Sequence, residues 1–150
     1  MPGSYSCLLC HVVFSTKDRH PVLTPEVTGR LWDYMGGILT RHKCNPIEIG
    51  GTADHVHVLM GLERDQCVAN AVRDLKANSS RWLRAEFEFL STFAWQSGYG
   101  AFSVGIAGIE RNRQYIRNQE AHHRTRGFQE EFIAFLQRHG VDYDVRYVWE

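Results

Sequence analysis

The 150-residue sequence predicts an α+β fold, a four-stranded antiparallel sheet with helices on one face. Four short runs have the apolar, β-branched composition of strands. Long stretches with apolar residues at helical spacing part the first run from the second and the third from the fourth. Only a turn containing Gly50 and Gly51 parts the second from the third. The resulting order, β-α-β-β-α-β, is that of a ferredoxin-like split β-α-β sandwich. A helix bearing Tyr115 and a helical C-terminal tail follow it.

The first strand covers about residues 4–14 and ends in a polar turn at 15–19. Pro21 and Pro25 lead into a helix of about residues 25–43, with Thr24 at the N-cap position and Pro25 at the first helical position. Val27, Leu31, Tyr34, Ile38 and Leu39 give it an apolar stripe. Gly36 and Gly37 weaken its middle by roughly 1 kcal/mol each against alanine, which points to close packing there. Residues 45–49 form the second strand and 50–54 the turn into a third strand that begins at His55. The second helix fits about residues 64–87, with Val68, Val72, Leu75 and Leu83 apolar and Lys76, Arg81 and Arg84 on the other side. An aromatic loop (89–100) precedes the fourth strand (101–104). Residues 105–108 make a small-residue hinge into the tyrosine helix. The tail is helical over about 128–138, closed by Gly140 at the C′ position. Residues 141–149 alternate apolar and polar, as an edge strand or a segment packed along a partner would.

Length and composition fit one domain spanning residues 1–150, with a core of about 5–123 and an extension from about 124. No apolar run approaches the ~18 residues of a membrane span. The first residues lack the basic and apolar regions of a secretory signal, so a cytoplasmic location is expected. Cys7 and Cys10 form a C-x-x-C, a spacing shared by zinc and redox sites. On a strand, i and i+3 face opposite sides, so these thiols cannot hold one metal, and free thiols in a reducing compartment are the better reading. The 17 basic and 17 acidic residues balance, which gives no general excess for nucleic acid. The distribution is uneven, however. Arg111, Arg113, Arg117, Arg124 and Arg126 stand against only Glu110 and Glu120 in residues 110–126, whereas acid gathers in the tail.

Two small patterns carry chemistry. His55 and His57 lie at i and i+2 on a strand, so both imidazoles project from one face. Either they hold a divalent metal or they are strand histidines with no role. Asp54, on the opposite strand face, reads as a turn or supporting residue. Tyr115 and Gln119 lie at i and i+4 on one face of a helix flanked by Arg111, Arg113 and Arg117. A phenol beside an amide oxygen suits a nucleophile next to a metal ligand; it also suits a tyrosine packing its ring on a core. His122, one turn past Gln119, is either a ligand, a phosphate contact, or neither.

Together, His-x-His on a strand and Tyr-x-x-x-Gln on a later helix resemble the single-tyrosine transposases of the HUH superfamily. These are the insertion sequence 200/605 type and the REP-associated tyrosine transposases. Residues 10–17 (CHVVFSTK) are similar to the family's first strand, 75–83 to its basic second helix and 95–104 to the approach to its last strand. The resemblance runs from about residue 5 to about 123. It implies cleavage and rejoining of single-stranded DNA at hairpin-flanked sites, with Tyr115 as nucleophile through a 5′-phosphotyrosine. His55, His57 and Gln119 would then hold Mg²⁺ or Mn²⁺ as a mixed nitrogen–oxygen set. It further implies a homodimer whose active sites can be shared between subunits. Lys76, Arg81, Arg84, Arg111 and Arg117 are the candidate DNA contacts. Two other classes stay in view: a metal phosphoesterase with water as nucleophile, and a non-catalytic ferredoxin-like module that binds nucleic acid.

Overall fold

A computed structural model of the chain describes residues 2–123 and 126–150; Arg124 of the basic run lies outside them. Four strands, β1 (Leu8–Ser15), β2 (Cys44–Gly51), β3 (His55–Leu62) and β4 (Gly100–Ser103), form one sheet in the order β2-β3-β1-β4. Every pairing is antiparallel. Helices α1 (Pro25–Arg41) and α2 (Val68–Glu86) make the two crossovers. The expected α+β, ferredoxin-like arrangement is therefore present. Three later helices are α3 (Ile109–Arg117), α4 (Gln119–His122) and α5 (Phe128–Arg138).

Strand alternation divides the interior in two. Cys10, Val12 and Phe14 of β1 and Val56, Val58 and Met60 of β3 point to one face, where they pack with Leu31, Met35, Ile38, Leu75 and Leu83 of α1 and α2. Val13 of β1 and Phe102 of β4 point the other way. There they meet Phe128, Phe132, Phe135 and Leu136 of α5, with Tyr115 of α3 packed against the same cluster. His11, His55 and His57 belong to this second face and are buried. The tail thus covers the sheet face that bears the histidines.

Local differences from the sequence reading have plain causes. Thr24 does precede α1 and Pro25 does begin it, but the threonine hydroxyl makes no capping bond. Close packing is absent at Gly36 and Gly37, where an added methyl would meet its nearest neighbours at 3.9 Å. A tight approach to a helix is found instead at Gly50 of β2. A Cβ there would stand 2.8 Å from the Ile116 carbonyl oxygen and 3.0 Å from Ile116 Cγ2, so the glycine lets α3 lie directly on the strand. The tyrosine helix is also not continuous: at Asn118 (φ −96°, ψ 21°) it breaks into α3 and α4.

At the end of α5 the Val141 N–H donates to the Leu136 carbonyl and the Gly140 N–H to that of Gln137. Gly140 has φ +65°, as a Schellman closure requires. Residues 141–150 then turn back instead of forming an edge strand. Trp149 packs against Phe128 and Phe132, and the Arg19 guanidinium lies 5.5 Å over its ring. Among the described residues, no helix is long and apolar enough to cross a membrane.

Two substitutions test this packing. Gly36→Ala should stabilise the protein in urea unfolding by about 0.5–1 kcal/mol, because the helix gains propensity and nothing is displaced. Gly50→Ala should speed amide hydrogen exchange across residues 109–117 while leaving α1 unchanged.

Candidate active site

The two strand histidines behave differently because different elements reach them. His55, the first residue of β3, has Nδ1 2.7 Å from Asp54 Oδ1 and 3.0 Å from the Thr52 hydroxyl. The carboxylate accepts the Nδ1 proton, so in the neutral ring Nε2 carries a lone pair. That nitrogen faces Gln119 Oε1 at 3.0 Å and Glu131 Oε1 at 3.7 Å. Three acceptors converging on one point is an arrangement that a cation resolves; an imidazolium or a turned amide would also relieve the Gln119 contact. Asp54 therefore has the supporting role expected of it, fixing the ring's orientation.

His57 sits deeper. Its Nδ1 is 2.7 Å from Nε2 of His11, and its Nε2 donates to Glu131 Oε1 at 2.9 Å. Burial pushes the imidazole down to about 4, against the raising influence of Glu131. Burial also drives His11 well below the ordinary histidine value, with His57 adding to the effect.

Glu131 of α5 joins the histidines to the tyrosine. Its second oxygen, Oε2, accepts a hydrogen bond from the Tyr115 hydroxyl. Burial works against ionisation of this carboxyl. The approach of His123 and the bonds and charge from His57 outweigh it, with Tyr115 adding its bond, and hold the group well below the usual carboxylate range. The same contact acts in reverse on the phenol: burial first, then the Glu131 bond and charge, raise Tyr115 above its ordinary value. His123 Nε2 lies 3.2 Å from Glu131 Oε2 but off the hydrogen-bonding direction. It is a buried nitrogen left without a hydrogen-bond partner.

The donor set fits a metal. One ligand atom from each of His55, His57, His123 and Glu131 falls within 4.8 Å of all the others. An octahedral ion with bonds of ~2.1 Å spaces its neighbouring ligands by about 3 Å and its opposed ones by about 4 Å. The unpartnered His123 nitrogen and the facing acceptors of His55 and Gln119 are what such an ion would satisfy.

Tyr115, His55, His57 and Gln119, all named from sequence, meet on the second face of the sheet. His122 is not in the cluster; its ring stacks on Tyr115 with centroids 4.6 Å apart. The sequence reading missed Glu131, His123 and His11. Glu131 had a visible signal. Phe128, Phe132, Phe135 and Leu136 mark the buried stripe of α5, and the single carboxylate inside that stripe is Glu131. His11 likewise replaces an apolar residue in a buried strand.

The candidate DNA cations are dispersed. The Lys76 ammonium donates to the carbonyls of Gln96 (2.8 Å) and Gly98 (2.7 Å), and Arg84 donates to that of Phe93 (3.1 Å). Both thus hook the aromatic loop onto α2. Arg117 pairs with Glu48 of β2 at 2.9 Å, beside Arg113. Arg81 and Arg111 are exposed.

This sheet, with its histidine pair and opposed tyrosine, is that of a DNA-processing transposase class. The chain belongs to the IS200-like transposase family, which it matches over residues 4–119. It is 27% identical over 114 residues to the ISDra2 transposase TnpA of Deinococcus radiodurans, covering 73% of this chain and 81% of that protein. A crystal structure of a transposase-family protein from Deinococcus radiodurans R1 superposes with a TM-score of 0.64 at 27% identity, over 79% of this chain and 95% of that one. A REP-associated tyrosine transposase solved with a REP hairpin gives a TM-score of 0.61 at 13% identity, over 82% and 73%, a likeness of fold.

The buried groups set the acid response of the metal-free protein. The folded value of His57 is depressed, so the unfolded chain takes up its proton first. Stability is then full above about 6.5 and lost as pH falls toward about 4. Glu131, also depressed, adds loss below the ordinary carboxylate value. Urea unfolding in EDTA should show this decline, and His57→Gln should make it shallower between pH 6.5 and 4.

Proposed function

We propose that the protein is a metal-dependent single-stranded DNA transposase that cuts and rejoins DNA at hairpin-flanked sites through Tyr115. One observation carries the reading: the Tyr115 hydroxyl and His57 Nε2 share one carboxylate, Glu131, which brings nucleophile and metal-ligand nitrogen to a single point. His55, His57 and the Gln119 amide oxygen are assigned as ligands of Mg²⁺ or Mn²⁺, the ions that suit a mixed nitrogen–oxygen set. When bound, such an ion supplies Lewis-acid stabilisation of charge on the scissile phosphate.

The chain's own residues do the rest. The phenol oxygen of Tyr115 forms a bond to phosphorus, and the bond from phosphorus to the 3′ oxygen breaks. The phenol gives up its proton, and the departing oxygen gains one to become a 3′-hydroxyl. The 5′-phosphotyrosine keeps the phosphodiester energy for rejoining, which attack by water would discard.

Arg81 and Arg111, exposed on α2 and α3, are assigned to phosphate contacts, with Arg117 shared between DNA and Glu48. Lys76 and Arg84 act mainly through the loop they hold. A homodimer is the proposed assembly. Tyr115 already reaches the histidines of its own chain, so each subunit carries a full set of site residues. The reaction is placed in the cytoplasm, with residues 1–150 acting as one unit.

Incubation with a single-stranded DNA hairpin and Mn²⁺ should give a protein–DNA adduct that survives denaturation. Tyr115→Phe should abolish it, and His57→Ala should reduce it by at least about 10²-fold, the scale of losing a group that acts in the transition state. Adduct formation by Tyr115→Phe would end the assignment. DNA hydrolysis retained by that variant would establish water as nucleophile.

A further inference from the structure

We propose that Glu131 is the carboxylate of the metal centre, with Oε1 a ligand beside His55 and His57 and Oε2 kept on the Tyr115 hydroxyl. The inference rests on the reading above and adds a residue beyond the family match, which ends at residue 119.

Burial comes first. Glu131 is only 3% exposed, inside the apolar stripe of α5. A carboxylate in that position is costly unless it is paired. Its ion-pair partners among the described residues are all imidazoles, of His55, His57 and His123. These are groups that bind metals when neutral, and among the described residues no lysine or arginine is paired with it. A carboxylate meant only to anchor a helix is better served by a permanent cation.

Geometry separates the two oxygens. Oε1 is 2.9 Å from His57 Nε2 and 3.7 Å from His55 Nε2, on the side where the strand histidines converge. Oε2 faces the tyrosine and, at 3.2 Å, the His123 nitrogen, which makes no hydrogen bond. One side chain therefore touches both halves of the site, and α5 fixes the distance between nucleophile and ligands.

The chemistry of the ion completes the case. Two imidazoles and a neutral amide form an uncharged set, which hard ions bind poorly. A carboxylate brings the negative oxygen that Mg²⁺ and Mn²⁺ prefer. Glu131 is the carboxylate whose oxygen reaches both strand histidines.

Mn²⁺ binding to the full chain, followed by the electron paramagnetic resonance of the free ion and by metal-induced shifts in melting temperature, tests this without reference to activity. Glu131→Gln keeps the size of the side chain and should weaken Mn²⁺ binding by about 10- to 100-fold, the range seen when a carboxylate is lost from a metal site's surroundings. Glu131→Asp should recover part of the affinity, which a purely structural role would not produce. It also serves if the glutamine variant fails to fold. Unchanged affinity in Glu131→Gln, with affinity lost in His57→Ala, would overturn the assignment and leave the metal centre standing. Tighter binding in Glu131→Gln would also overturn it, by showing that the carboxylate competes with the ion. Absence of Mn²⁺ binding by the wild-type chain would overturn the metal reading as well.

Discussion

A buried, ionised carboxylate among imidazoles is the constraint around which the second half of the molecule is arranged. Removing a charge from water costs several kcal/mol even after relaxation. Glu131 is compensated by donors from separate elements: the His57 ring on β3 and the Tyr115 hydroxyl on α3. Those donors can meet only if α5 lies across the sheet and α3 lies beside it. Phe128, Phe132, Phe135 and Leu136 supply the apolar contact that holds α5 there. Polar pairing and apolar cover therefore require the same docking pose.

The two histidines are held with unequal firmness. β3 is paired on both sides and buried over its first six residues, so their backbone positions are fixed by two ladders of hydrogen bonds. His57 is also gripped at both ring nitrogens, whereas His55 is fixed at Nδ1 and turns its other nitrogen toward acceptors. The tyrosine stands on a nine-residue helix that rests on an edge strand. Rigidity thus lies with the histidine pair, and Tyr115 is carried by the more lightly supported element.

Much of this was legible in the sequence, for identifiable reasons. Period-two alternation in β1 and β3 and helical spacing in α1, α2 and α5 each depend on local residue order, and these elements fall where that order puts them. His55, His57, Tyr115 and Gln119 were readable because fixed spacing on regular elements dictates a shared face. What escaped depends on long-range packing. Nothing near residue 131 says that α5 crosses the histidine face, so Glu131 was counted with an acidic tail although its place in an apolar stripe marks it as buried. His123 follows the break at Asn118, which changes the direction of the chain in a way that regular helical spacing does not anticipate. Lys76 and Arg84 read as solvent-facing charges because their carbonyl partners lie on a loop with no periodic pattern.

The seat of the tyrosine helix is backbone against backbone: the space at Gly50 is filled by the Ile116 carbonyl and its neighbouring methyl. A joint of that kind takes little notice of which side chains the helix shows to solvent. The outward residues of α3 are therefore open to drift, for instance toward a different pattern of charge along a bound strand of DNA, without moving the phenol. The whole tolerance is bought at one position, where nothing larger than hydrogen fits without displacing the helix.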